Sequence, residues 1–307
     1  MVKERGGGPS ETQKPITIAL SPSFQAMASD GTLIVLDFIS KALARPYRVS
    51  SSSLPADLTI ISVLDLKREF LKKRWTARFT PPANMERMAR ALSQSEKFLV
   101  VAFENLQHPA WADFGRLLID SKVKRLTFFP EEVDSNGARL PYWWNYLDFP
   151  DFPRPEATYG RYGRLYSLEK LMTPIPRISN RLSRACWIGS YVAEPRASFL
   201  RVADSQFGLD VFGSAGSPMH APKAEVLSRY RYAVAAENSL GIGYDTEKVP
   251  EVWDSGCLPV ATFTQPMSDF NPRALNLLEP AQSHRHPLLL SAPNPIRVLE
   301  YLVGAFG

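Results

Sequence analysis

The chain has 307 residues, 45% hydrophobic and 22% charged, with a formal net charge of +5 and a pI near 9.1. That composition gives enough chain for two domains with their own cores and excludes a disordered or fibrous polypeptide. The mild positive excess suits a nucleoside diphosphate or an anionic membrane surface, whereas no Lys/Arg block or aromatic–basic stripe supports a nucleic-acid partner. The only cysteines, Cys186 and Cys257, form neither a disulfide framework nor a zinc spacing, so a reducing compartment is expected. No apolar run is long enough for a transmembrane segment, and the N-terminus has no signal-peptide core.

In chain order, residues 1–14 (MVKERGGGPSETQK) are polar and glycine-rich and are expected to form a mobile arm. Pro15–Leu20 reads as a first strand, and Leu33–Leu43 carries apolar residues at helical spacing. Leu58–Val63 is a second β-branched run. Lys67–Arg78 holds six Lys or Arg in twelve residues and reads as a solvated surface segment. Phe98–Phe103 (FLVVAF) is a continuous apolar strand that ends in Glu104-Asn105. Taken alone, Glu104 reads as a helix cap or the partner of a cation. Nearby His108 reads as a satisfied surface histidine. Arg125–Phe129 is a further strand, and Arg139–Phe149 packs five aromatic residues into eleven, as core or as a platform for sugar rings. Pro150–Pro176 has a linker's composition and holds the expected domain boundary.

The second half repeats the arrangement. Ala185–Ile188 is a strand, Pro195 suits a helix start before Arg196, and Leu209–Phe212 leads into a glycine turn. Tyr232–Ala236 then reads as a strand buried on both faces, ending in Glu237-Asn238-Ser239 and a loop punctuated by Gly241 and Gly243. Tyr244–Lys248 reads as a helix start that Asp245 or Thr246 could cap. A lysine in the first turn opposes the helix dipole by roughly 0.3–1 kcal/mol, which an anion bound there would reverse. Gly256–Val260 opens the next strand, and Ile296–Phe306 reads as a closing helix. His284 and His286 alone do not make a metal site. Alternating strands and helices, with polar groups at the carboxyl ends of buried strands, predict an α/β architecture with ligands bound there.

The ordered set Glu237-Asn238-Ser239, Tyr244-x-Thr246-Glu247-Lys248, Gly256-x-x-Pro259-Val260 and Asp269-Phe270-Asn271-Pro272 resembles the signature of the α-1,3/1,4-fucosyltransferases. Ala235 departs from it, standing where the family has an aromatic residue. The resemblance implies a GT-B fold, in which two Rossmann-like domains face a central cleft. The domains are expected at 15–150 on the acceptor side and 177–307 on the donor side, joined by a linker over 151–176. It implies inverting transfer of fucose from GDP-fucose to a glycan hydroxyl, with an N-acetyllactosamine-like acceptor as the family default and no metal or other cofactor required. Under it Glu104 becomes the general base, and Arg196 and Lys248 hold the donor phosphates. Tyr244 and Glu247 hold the ribose or the fucose, and Asn238 supports the loop or the sugar. With no membrane helix at its N-terminus, the chain resembles the soluble bacterial members and is expected in the cytoplasm, unless an anchor precedes it. Two alternatives stay open: the same frame using another nucleotide sugar, and a catalytically silent nucleotide-binding protein.

Overall fold

The computed structural model describes residues 14–50, 55–74, 83–152, 154, 162–176, 180–261, 269–275 and 284–307. The arm expected over 1–14 lies outside them except for Lys14, as do residues 153 and 155–161 of the expected linker.

Strand β1 (Ile16–Leu20) runs through α1 (Gln25–Ser29) and α2 (Val35–Ala42) to the edge strand β2 (Tyr47–Val49). Next come β3 (Leu58–Ser62), α3 (Val63–Arg74), α4 (Ala83–Leu92), β4 (Phe98–Ala102) and α5 (Ala112–Ile119). Strands β5 (Arg125–Thr127) and β6 (Ala138–Arg139) complete a parallel sheet in the order β2-β1-β3-β4-β5-β6. Strands β1, β3 and β4 are buried at every position, because helices cover both faces of the sheet. Their register sets Ile18 opposite Leu58 and Ile60 opposite Leu99. Strand β5 stops at Thr127, short of the predicted Phe129, because the Thr127 hydroxyl accepts the Phe129 N–H that a longer ladder would use. The basic Arg125 is buried in this strand with its charge answered, donating to both carboxylate oxygens of Asp134 and to the carbonyls of Ile119, Ser121 and Val123.

The chain then crosses over. Strand β7 (Leu147–Asp148) pairs with β8 (Tyr166–Ser167), which leads into α6 (Leu168–Leu171). The second sheet is built from β9 (Leu182–Ile188), α7 (Arg196–Phe207), β10 (Leu209–Phe212), α8 (Lys223–Ser228), β11 (Tyr230–Val234), α9 (Lys248–Asp254) and β12 (Leu258–Val260). It too is parallel, in the order β10-β9-β11-β12. Cys186 and Cys257 are both free and buried in it. The last helix, α10 (Ile296–Phe306), returns to the first sheet and packs on α2 and β6, although its position in the sequence places it with the second half. Tyr301 on α10 accepts a hydrogen bond from the Arg125 amide at 2.9 Å.

Both sheets reverse their strand order at one place. In the first the chain turns one way from β1 to β2 and the other way to β3; in the second it does so from β9 to β10 and β11. Open parallel sheets bind ligands at such switch points, beyond the carboxyl ends of the strands.

Candidate active site

At the carboxyl end of β11, Glu237 is the hub. Its carboxylate accepts from the Thr246 amide at 3.0 Å, from the Thr246 hydroxyl at 2.7 Å and from Lys248 Nζ at 2.8 Å. Lys248 also lies 3.4 Å from the Glu247 carboxylate. Burial disfavours its charge, but Glu237 and Glu247 outweigh burial and hold its pKa above the ordinary lysine value. The lysine in the first turn of α9 is therefore answered by two carboxylates of the protein itself, not only by whatever anion binds. Neither Asp245 nor Thr246 caps the helix. It begins at Lys248 without a side-chain cap, since Thr246 serves Glu237 and Asp245 accepts from the Asp269 amide.

Arg196 opens α7 and is buried. Its guanidinium donates to the carbonyls of Ala236 and Tyr191 and stacks over the Trp187 ring, 5.6 Å from its centroid. Burial draws its pKa below the ordinary arginine value, with Glu237 and Glu247 pulling against it. One turn along α9 from Glu247, Glu251 forms an ion pair with Lys223, the first residue of α8. Burial opposes ionisation of Glu247, yet Lys248 and Lys223 hold its carboxyl below the usual carboxylate range.

The first sheet presents Glu104 just beyond β4. The side chain is half-buried and makes no hydrogen bond or ion pair among the described residues. Burial pushes its carboxyl above the usual range, against the opposing charges of Lys67 and Lys248. Lys67 is held beside it, donating to the Ala110 carbonyl at 2.7 Å with Nζ 3.5 Å from the centroid of the Trp111 ring. Arg68 and Lys72 are solvated, as expected of this basic stretch, whereas Lys67 is held by these local contacts. Residues 75–78 of that stretch lie outside the described residues. Exposed His108 is satisfied locally, accepting from the Ala110 amide.

Asn105, by contrast, is structural. It donates to the Ser239 hydroxyl and the Leu240 carbonyl and accepts from the Gln107 amide, while Gln107 accepts from the Ile242 amide at 2.7 Å. The loop after β11 is thus fastened to the first sheet. The approach is close enough that a Cβ on Gly241 would stand 2.5 Å from Asn105 Oδ1, and Gly243 turns with φ +72° against the Phe128 carbonyl. Tyr244 follows the loop into the first half's core, its ring 5.1 Å from that of Phe128. On the same side Asp269 bridges Arg139, at 2.7 and 3.0 Å, and the Trp143 indole N–H, at 2.8 Å.

Between the sheets lies a cavity of about 690 Å³. It spans both switch points. Met27, Asp30 and Thr32 reach it from beyond β1, the turn Gly189–Tyr191 from beyond β9, and Asn238 from beyond β11. Arg196, Lys223, Glu247, Lys248 and Glu251 line it, with Tyr142 and Tyr146 on the opposite wall, their hydroxyls 2.6 Å apart. Most of the aromatic stretch is core, with Trp143, Trp144, Tyr146 and Phe149 buried together, and Tyr142 and Tyr146 also line the cavity. Of the six residues singled out in the sequence, Arg196, Asn238, Glu247 and Lys248 share the cavity wall. Glu104 does not line the cavity but lies within the field of Lys248, and Tyr244 is committed to the packing between the two halves. Among the described residues no group of three or more His, Cys, Asp or Glu side chains is arranged to hold a metal ion, and no helix is long and apolar enough to cross a membrane.

The chain superposes on a crystal structure of an α1,3-fucosyltransferase with a TM-score of 0.52 at 16% identity, over 98% of this chain and 81% of that one. A crystal structure of α1,3-fucosyltransferase with GDP matches with a TM-score of 0.51 at 16% identity, over 97% and 80%. The chain has the GT-B fold of the α1,3-fucosyltransferases. No protein-family model and no curated protein matches the sequence. In this GT-B frame, the sequence reading missed Glu237 as the hub of the cation cluster and missed the Lys223–Glu251 pair. Glu237 stands in the motif itself, so its signal was present. Lys223 and Glu251 are 28 residues apart on separate helices, and no local pattern links them.

Proposed function

We propose that the protein is an inverting fucosyltransferase that moves L-fucose from GDP-fucose to a glycan hydroxyl in α-1,3 or α-1,4 linkage. The observation that carries this reading is a cavity walled by donor-side cations, with a first-sheet carboxylate close enough to feel the charge of one of them. On the second sheet, Arg196 and Lys248 stand at the switch point with the Glu-Asn-Ser and Tyr-x-Thr-Glu-Lys elements around them. Beside them, from the first sheet, comes a half-buried carboxylate, Glu104, with no partner among the described residues. A nucleotide sugar fits a cavity of this size.

In a single displacement, the Glu104 carboxylate takes the proton of the acceptor hydroxyl as that oxygen attacks C1 of fucose. The bond from C1 to the β-phosphate oxygen breaks, and its electron pair leaves on GDP. Attack opposite the leaving group converts a β-linked donor into an α-linked product. Arg196 and Lys248 hold the charge that grows on the departing diphosphate. Glu247 holds the ribose or the fucose, with Asn238 beside it. Tyr244 sets the loop and offers the donor its hydroxyl alone. Residues 15–150 then form the acceptor-side unit and 177–307 the donor-side unit, linked by 151–176, with α10 closing back onto the first. No step calls on a metal. The acceptor is a glycan of N-acetyllactosamine type.

The test is thermal stabilisation by GDP-fucose, GDP-mannose, UDP-galactose and UDP-N-acetylglucosamine, followed by transfer assays against a glycan panel. GDP-fucose should raise the melting temperature at concentrations well above its dissociation constant and should alone yield product. Stabilisation by the uridine sugars without GDP-fucose would overturn the proposal.

A further inference from the structure

The turn after α1 has no part in the transfer described above, yet it belongs to the cavity wall, beside the segment that carries Tyr142 and Tyr146. The turn is firmly held. Gly31 reverses the chain with φ +67°. The Thr32 amide and hydroxyl both donate to the Met27 carbonyl, at 2.9 and 3.2 Å. Asn145 ties the turn to the tyrosine segment, accepting from the Ile34 amide at 3.3 Å and donating to the Tyr142 carbonyl at 2.8 Å. The charged group that this turn presents is Asp30, the one first-half carboxylate among the described residues that line the cavity. It is exposed and forms no ion pair among the described residues. The Ser29 hydroxyl stands 3.5 Å from its carboxylate but gives its proton to the Ala26 carbonyl at 2.7 Å.

The carboxylates of the second half differ, since Glu247 and Glu251 each stand beside a lysine. An unanswered carboxylate in a cavity that takes a diphosphate opposes it by like charge, so Asp30 does not serve the donor. It suits a neutral ligand rich in hydroxyls that comes in from solvent. We infer that Asp30 is a binding residue for the acceptor, receiving hydrogen bonds from two neighbouring hydroxyls of one sugar ring; this rests on the fucosyl-transfer reading above. An ionised carboxylate only accepts, and its two oxygens span such a pair. A sugar ring also has apolar C–H faces, and Met27 and Tyr142 on the same wall offer surface to one of them. The exposure of Asp30 places it at the mouth, along the part of the glycan that does not react. Its role is to fix how the acceptor lies, while proton transfer stays with Glu104.

The test is the steady-state kinetics of the full chain with GDP-fucose and the best acceptor of the glycan panel, beside calorimetry of GDP-fucose alone. Asp30→Ala removes both accepting oxygens, so the acceptor KM should rise about tenfold while kcat stays within about twofold. Asp30→Asn keeps one oxygen and should recover part of that loss. In both variants the Kd for GDP-fucose should stay the same or fall, since a repelling charge has gone. The melting temperature should not move, because the side chain is exposed. A purely structural role would instead lower the melting temperature and weaken donor and acceptor together, which overturns the assignment. An acceptor KM in Asp30→Ala within about twofold of the unmodified value overturns it as well and leaves the fucosyl-transfer reading standing. So does a collapse of kcat at unchanged KM, which would put Asp30 in the proton transfer. A wild-type chain that binds no GDP-fucose, or transfers it to no glycan, overturns both.

Discussion

The two Glu-Asn pairs of this protein follow buried parallel strands and look alike in sequence, yet their side chains divide the work in opposite ways. After β4, Asn105 is the structural member, holding the Ser239–Ile242 loop, while Glu104 is left without a partner among the described residues. After β11, Glu237 is structural, fastened to Thr246 and Lys248, while Asn238 lies exposed on the cavity wall. The difference comes from what each carboxylate meets. Glu237 faces a lysine and a hydroxyl on the following turn, so its charge is satisfied within the motif. Glu104 meets burial and two more distant lysines, which leaves its proton affinity raised and its oxygens available. A carboxylate in the second state suits proton transfer; one in the first suits holding a cation in place.

The largest effect should come from the unpartnered member. Glu104→Gln keeps the shape but cannot take a proton, so turnover should fall by roughly two to four orders of magnitude while GDP-fucose still binds. Single-turnover assays with calorimetry of the donor separate the two; transfer at close to the unmodified rate would put the base elsewhere. The sign of its pH dependence follows from its raised pKa. The base works ionised, so activity should climb with pH through a midpoint above the ordinary glutamate value. The same group favours the folded state below its unfolded pKa, and that contribution is lost as pH rises through the raised value. Lys67→Met removes an opposing charge and should move the activity midpoint further up.

Glu237→Ala should act on the fold as well as on the site. It removes one of the two carboxylates that answer a largely buried lysine, and with it the acceptor of the Thr246 hydroxyl, at a cost of about 1–3 kcal/mol. Urea unfolding should show that loss, and donor affinity should fall with it as Lys248 is no longer held. If stability is unchanged, the hub is not Glu237, and the contrast between the two pairs fails.

A smaller effect should follow at the seam. Gly243→Ala puts a side chain at φ +72° with its Cβ 2.7 Å from the Phe128 carbonyl. The strain should be about 1–3 kcal/mol and should loosen the loop from the first sheet. Hydrogen exchange of the Ile242 amide, which donates to Gln107, reports that loosening directly.

Much of this was legible in the chain itself. The apolar runs Ile16–Leu20, Leu58–Ser62 and Phe98–Ala102 are strands buried on both faces, and their composition says so, because a parallel sheet covered by helices leaves no polar side. The Glu237–Lys248 motif is local, with its main groups within about a dozen residues, so the resemblance it carries could point to Glu247 and Lys248, which both line the cavity. Ile296–Phe306 was readable as a helix from its apolar period, but not as one that returns to α2 and β6, since nothing in a helix's own period says which sheet will cover it. Tertiary structure alone decided which member of each Glu-Asn pair is structural, because the deciding partners of Asn105 lie 134 and 135 residues away. It likewise drew Tyr244 into the first half's core against Phe128 and set Lys223 beside Glu251 across 28 residues. Composition and period fix which segments are strands and helices; only packing brings distant charges close enough to interact.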